Sequence, residues 1–195
     1  ETGFSGLDRI FDLDKKQIST FVDISAIAPG VNVAKNEGFK TVITIRGVGY
    51  ETNQNAIATP SVSYHLDGIY IASPYSLQTE FMDLERIEVL RGPQGTLFGQ
   101  NSTGGAINVI TSAPSLEESS SYGDITIGDY SLIKTRASFN RPLSETLAVR
   151  ASFITHKRDG FTDNLSTGQD LDDADSISAR VRFLYQPSET FRANF

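Results

Sequence analysis

The sequence predicts a small α/β domain, a mixed sheet with short helices, followed by antiparallel transmembrane β-barrel strands that stay incomplete within this chain. Three observations predict it. Leu84–Thr111 sets a glycine-studded segment between two apolar strands, with five glycines in the fourteen residues from Gly92 to Gly105. After Pro114 the apolar residues switch to strict alternation, the pattern of strands with two different faces. The connections between those later stretches are alternately short and long, as in a barrel with one turn side and one loop side.

In chain order, Glu1–Lys16 mixes Gly, Asp and Lys with a few large apolar residues and reads as an extended lead-in. From Gln17 to Ile27 the residues Ile18, Phe21, Val22, Ile24 and Ile27 follow helical spacing, and Pro29-Gly30 ends a helix of about three turns. Val42–Gly47 is β-branched and bounded by glycine, hence a strand. Gly47–Pro60 is a polar loop. Ser61–Leu66 returns as a strand with Val62, Tyr64 and Leu66 on one face, and Asp67-Gly68 turns it into Ile69–Ile71. Ala72–Thr79 is a second loop, and Phe81–Glu85 is expected to form one helical turn into the Arg86–Leu90 strand. Arg91-Gly92-Pro93 makes a sharp corner, where Pro93 suits the start of a short helix. Ala106–Ile110 is the last strand of this domain, which ends near Pro114.

Beyond Pro114, Ile133, Thr135, Ala137 and Phe139 alternate with Lys134, Arg136, Ser138 and Asn140. Leu147, Val149, Ala151 and Phe153 alternate with Ala148, Arg150, Ser152 and Ile154, and Ile177–Tyr185 and Phe191–Phe195 repeat the pattern. This period fits a soluble β-sandwich as well as a membrane barrel. Loop asymmetry selects the barrel. Asn140–Glu145 and Gln186–Glu189 are short proline-bearing turns, whereas Lys157–Asp175 is long and holds six aspartates. Arg136, Arg150, Arg180 and Arg182 then face the lumen, and Ile, Val, Ala and Phe face lipid. About five strands leave open edges that lipid does not tolerate.

Composition narrows the function. The 24 acidic against 17 basic residues, net −7, argue against nucleic acid as a partner. There is no cysteine, and His65 and His156 are the only histidines, so catalysis and metal binding are poorly supplied. The expectation is a protein that is not an enzyme and has no cofactor and no metal. His65 reads as a satisfied structural histidine. The glycine-rich segment lacks GxxxxGK[ST] and a GxGxxG opening a long helix, which weighs against a phosphate loop. No run reaches the roughly 18 apolar residues of a spanning helix, and Glu-Thr-Gly-Phe is no signal peptide.

Leu84–Thr111 resembles the plug domain of TonB-dependent outer-membrane receptors. In that family a strand ending in LRGP leads through a Gly-Thr-Leu-Phe/Tyr-Gly turn to GGAINVIT. Here Leu90–Pro93, Gly95–Gly99 and Gly104–Thr111 supply every element in order and without a gap. The Ile45-Arg46-Gly47 strand, the Asp67-Gly68-Ile69-Tyr70 hairpin and the helix before Ala28-Pro29-Gly30-Val31 match less specifically. The resemblance divides the chain into a lead-in (Glu1–Lys16), the plug (Gln17–Pro114) and the first barrel strands (Ser115–Phe195). The family's TonB box is not recognisable in Glu1–Lys16, which places it upstream or makes it divergent.

What the resemblance implies is TonB-dependent uptake of a scarce solute, such as a ferric siderophore, cobalamin or a glycan, across the bacterial outer membrane. The implied partners are TonB, outer-membrane lipid and lipopolysaccharide, and the solute. It casts Arg46 and Arg91 as a latch that pairs with barrel-wall glutamates, with plug carbonyls or Glu88 as the local alternative. Apical-loop candidates for the solute are Tyr50, Glu51, Asn53, Gln54, Tyr75 and Gln78. A passive gated pore or surface-binding outer-membrane β-protein without energy coupling, and a soluble secreted enzyme, are the alternative classes.

Overall fold

The computed structural model describes residues 20–36, 40–49, 60–73, 80–168 and 170–195. The chain forms two compact units, Glu1–Thr111 and Ser112–Phe195.

The first unit begins, among the described residues, with a 3₁₀ helix at Phe21–Ala26. The expected three-turn α-helix over Gln17–Ile27 is therefore corrected for its described part, and residues 17–19 lie outside the description. The local chemistry explains the tighter winding. Asp23 accepts hydrogen bonds from the Thr20 amide and hydroxyl at 2.7 and 3.0 Å. Ser25 Oγ donates to the Val22 carbonyl at 3.0 Å, competing with the helical ladder. A 3₁₀ helix also stacks residues i and i+3, and Phe21 and Ile24 are the two it buries.

Strands β1 (Val31–Asn36), β2 (Lys40–Ile45) and β3 (Val48–Gly49) form a small antiparallel sheet. The expected Val42–Gly47 strand thus starts and stops earlier. Arg46 and Gly47 instead form the two-residue corner between the Ile45–Val48 pair, with φ of 53° and 78°. Positive φ at both positions matches the strand twist of a type I′ hairpin.

Strands β4 (Val62–Leu66), β5 (Ile69–Tyr70), β6 (Leu84–Arg91) and β7 (Gly105–Thr111) make a mixed sheet in the order β5-β4-β7-β6. β4 and β7 run parallel, with Tyr64 opposite Ile107, and the other pairs are antiparallel. β4 is an interior strand of this sheet, and Val62 through His65 are all buried, so the expected one-sided pattern does not hold. Phe21 meets Phe81 edge-on at 4.9 Å and Tyr64 at 6.2 Å, which ties the 3₁₀ helix into the sheet's core. The expected helical turn at Phe81–Glu85 is absent. Asp83 has φ of 53°, which interrupts a right-handed helix, and Leu84 already pairs with Thr111. The short helix α1 (Gly95–Phe98) follows Pro93 by two residues.

In the second unit, residues 112–119 lead into β8 (Ser120–Gly128), β9 (Leu132–Pro142), β10 (Leu147–Arg158), β13 (Ala174–Ser188) and β14 (Phe191–Asn194). These five strands form an antiparallel meander, β14-β13-β10-β9-β8, with β8 and β14 as open edges. Both proline turns are tighter than expected, because β9 runs through Pro142 and β13 through Ser188. The long loop carries its own two-residue strands, β11 (Thr162–Asp163) and β12 (Asp170–Leu171). The faces separate as alternation predicts. Ile125, Ile133, Phe139, Phe153, Ile177, Val181 and Phe183 are exposed on one side. Ser138, Asn140, Ser152 and Leu184 are buried on the other, where Arg136 pairs with Asp124 at 2.8 Å.

Candidate functional site

The corner Pro29–Gly30 draws both predicted latch arginines. Arg46, exposed in the β2–β3 turn, donates its backbone amide to the Gly30 carbonyl at 2.7 Å. Arg91 closes β6 opposite Gly105, and its Nη2 donates to the Pro29 carbonyl at 3.0 Å. Arg91 Nε is buried with no partner among the described residues. Neither arginine is ion-paired among the described residues, so each keeps guanidinium donors for a carboxylate. A planar guanidinium is suited to bidentate capture of a carboxylate.

Glu88 is engaged elsewhere. Its Oε1 accepts from Arg86 Nε at 2.8 Å and its Oε2 from Asn108 Nδ2 at 3.1 Å. That Glu88 hydrogen bond is the main cause raising the Arg86 pKa, against a smaller desolvation effect, and Glu85 adds a second ion pair to Arg86. Of the two local alternatives for Arg91, the structure shows the plug carbonyl and not Glu88.

The glycine-rich segment is closed on itself. Gly92 donates to the Gly104 carbonyl (3.2 Å), Gln94 to Ser102 (2.8 Å) and Gly104 to Ser61 (2.7 Å). Leu97, Phe98 and Gly99 donate to Gln94 and Gly95, and Ser102 Oγ to the Gly99 carbonyl. Amides engaged this way cannot cradle a phosphate. Gly105 has φ of 148°, and a Cβ there would strike the Leu90 carbonyl and stand 2.7 Å from Ile45 Cδ1. Only glycine fits this approach of β7 to β6.

His65 departs from its expectation. It is buried at 4 % exposure, with its ring 4.8 Å from Phe98 and 5.6 Å from Tyr70, yet neither nitrogen makes a hydrogen bond of good geometry among the described residues. Burial pushes its pKa down, offset only in part by the Gly68 backbone. Among the described residues no group of three or more His, Asp or Glu could hold a metal ion. Tyr50, Glu51, Asn53, Gln54, Tyr75 and Gln78 all lie outside the described residues.

Two polar anchors carry no sequence signal beyond a turn and a strand position. Asp67, at φ of 51°, accepts from the Thr111 amide at 2.8 Å and the Thr111 hydroxyl at 2.7 Å. Asn140 on β9 accepts from the Ser115 amide at 2.9 Å and donates to the Ser115 and Glu118 carbonyls at 3.0 and 2.6 Å.

Comparison with known proteins agrees with this architecture. Residues 11–106 match the family model described as the TonB-dependent Receptor Plug Domain. The pesticin receptor of Yersinia pestis is 33% identical over 150 residues, covering 74% of this chain and 21% of that protein. The ferric enterobactin receptor PirA of Pseudomonas aeruginosa is 27% identical over 186 residues, 84% of this chain and 24% of that protein. Among solved structures, the ferric yersiniabactin uptake receptor FyuA of Yersinia pestis superposes with a TM-score of 0.79 at 24% identity, over 93% of this chain and 28% of that one. The ferric-catecholate import receptor Fiu of E. coli gives 0.73 at 22% identity, over 95% and 25%. The chain thus spans about a quarter or less of the length of the curated relatives it matches. With a plug fold that continues into an open meander of barrel strands, the chain belongs to the TonB-dependent receptors of the bacterial outer membrane.

Proposed function

We propose that the complete protein imports an iron–siderophore chelate across the outer membrane, drawing on TonB, with the plug gating the barrel lumen. The observation that supports this reading most is the uninterrupted run from the LRGP corner to the end of β7, which continues directly into barrel strands. The siderophore class is favoured over cobalamin or a glycan because FyuA, Fiu and PirA are named for ferric siderophores. Arg46 and Arg91 serve as the latch, each anchored on the Pro29–Gly30 corner and offering its remaining donors to wall carboxylates. Such a pair, once desolvated, is expensive to break by halves, which suits a gate that must hold until pulled. Tyr50, Glu51, Asn53, Gln54, Tyr75 and Gln78 are the proposed solute contacts.

The test is a pull-down of the full-length protein from outer membranes with the TonB C-terminal domain. Retention that strengthens with ferric siderophore, and not with cobalamin or oligosaccharide, supports coupled uptake of that class. Outer-membrane location without TonB binding reduces the protein to a passive gated pore.

A further inference from the structure

We infer that Asn140 is the positioning residue that fixes the plug's C-terminal tether to the barrel wall, leashing the end of β7 while the plug is pulled. Asn140 is 3 % exposed on the polar face of β9, opposite Ser120 of β8. Its amide uses one acceptor and two donors on three backbone groups of the segment that precedes β8. Among the described residues that segment has no strand partner to satisfy those groups, so the side chain takes the place of a ladder. Arg182 of β13 adds a hydrogen bond to the Ser112 carbonyl at 3.3 Å.

The other end of the tether is also held, since Asp67 binds both the amide and the hydroxyl of Thr111. Only Ser112, Ala113 and Pro114 separate the two anchored residues, Thr111 and Ser115. Four residue steps span at most about 14 Å when fully extended. Pro114 is buried and restricts Ala113 to extended backbone. While both anchors hold, the end of β7 stays within that reach of the Asn140 anchor, and the passage for solute opens in parts of the plug that precede it. The part of this inference that concerns pulling rests on the uptake proposed above; the anchoring itself does not.

The experiment uses the full-length receptor carrying a cysteine at the half-buried Ala113 (A113C), read against the same protein without it. N140D keeps the side chain's shape but cannot donate to the Ser115 and Glu118 carbonyls and sets a buried charge against them. N140A removes all three bonds without burying a charge, and carries the test if N140D fails to assemble. In purified receptor, maleimide labelling of A113C is expected to accelerate at least about fourfold in N140D, which loses two bonds, and about eightfold in N140A, which loses three, each lost bond being worth roughly two- to tenfold in the opening equilibrium. Heat-modifiable gel mobility checks that the barrel is intact. In cells, permeation by vancomycin is expected to rise with TonB present and not without it.

Unchanged labelling in a folded variant overturns the anchor. Faster labelling with a leak that is equal with and without TonB, or with no leak, overturns its role under load. The pull-down decides the uptake reading separately.

Discussion

Replacing Asp67 with alanine tests how strongly the end of the plug sheet is held. The substitution removes two hydrogen bonds to Thr111, at 2.8 and 2.7 Å. Bonds to a charged acceptor are worth about 1.5–3 kcal/mol each when buried. Asp67 is exposed, so solvent screening brings each down to about 1 kcal/mol. Alanine at φ of 51° adds about 1 kcal/mol of left-handed strain. The sum, about 3 kcal/mol, corresponds to a roughly 150-fold rise in local opening. D67N tolerates the left-handed corner and keeps one acceptor oxygen, so its loss is about 1 kcal/mol, roughly fivefold. Hydrogen exchange followed by mass spectrometry on the Gly105–Thr111 segment of the full-length receptor reads both. Equal protection in wild type and D67A would refute the claim that this carboxylate holds β7, and equal loss in D67A and D67N would refute the division between strain and hydrogen bonding.

Gly105→Ala, which combines positive φ with a collision against the Leu90 carbonyl, is expected to destabilise the plug by more than about 3 kcal/mol, seen as global loss of exchange protection in β6 and β7. Arg91→Ala removes one bond to Pro29 and also one unpartnered buried Nε, so plug stability should move by no more than about 1 kcal/mol. If the latch reading holds, siderophore uptake nevertheless changes strongly; a parallel fall in stability and uptake would make Arg91 ordinary plug structure. For His65 the folded pKa lies below the usual 6.5, so its neutral form is favoured by folding. The unfolded chain takes up the proton first as pH falls, and stability present above about 6.5 declines between that pH and the folded value. Exchange protection of β4 should drop from pH 7.5 to 5.5 in wild type, and H65F should flatten that dependence.

Much of the fold was legible because its signals are local. Asp67-Gly68 predicts a turn by backbone preference alone, and the structure places both residues at positive φ. Alternation along Ile133–Phe139 and Leu147–Ile154 marks two faces, and the exposed Phe139 and Phe153 against buried Ser138 and Ser152 follow it. What failed depends on specific partners, near or distant, that a hydrophobic period does not show. Helical spacing over Gln17–Ile27 cannot reveal that Asp23 and Ser25 bind neighbouring backbone and tighten the helix. Leu84 joins β6 because Thr111 lies opposite it, a pairing invisible near Phe81. Of the candidate site, Arg46 and Arg91 were named from motif, but their meeting at Pro29–Gly30 needs three separate segments. Asn140 and the orphaned nitrogens of His65 gave no pattern at all, since a single buried polar residue has no period.

The parallel pairing of β4 with β7 sets an order of events during synthesis. Tyr64 cannot meet Ile107 until β5, β6 and the glycine-rich segment have all been made, so this contact closes a long loop. Strands β8, β9 and β10 need only their neighbours in sequence, and such hairpins form quickly. Until β7 arrives, β4 therefore carries one edge of unpaired backbone N–H and C=O groups, the kind of edge that pairs with other chains and aggregates. Within this sheet Val62–Leu66 is thus the stretch that waits longest for its partner, and its protection from wrong pairing is complete only when β7 has been made.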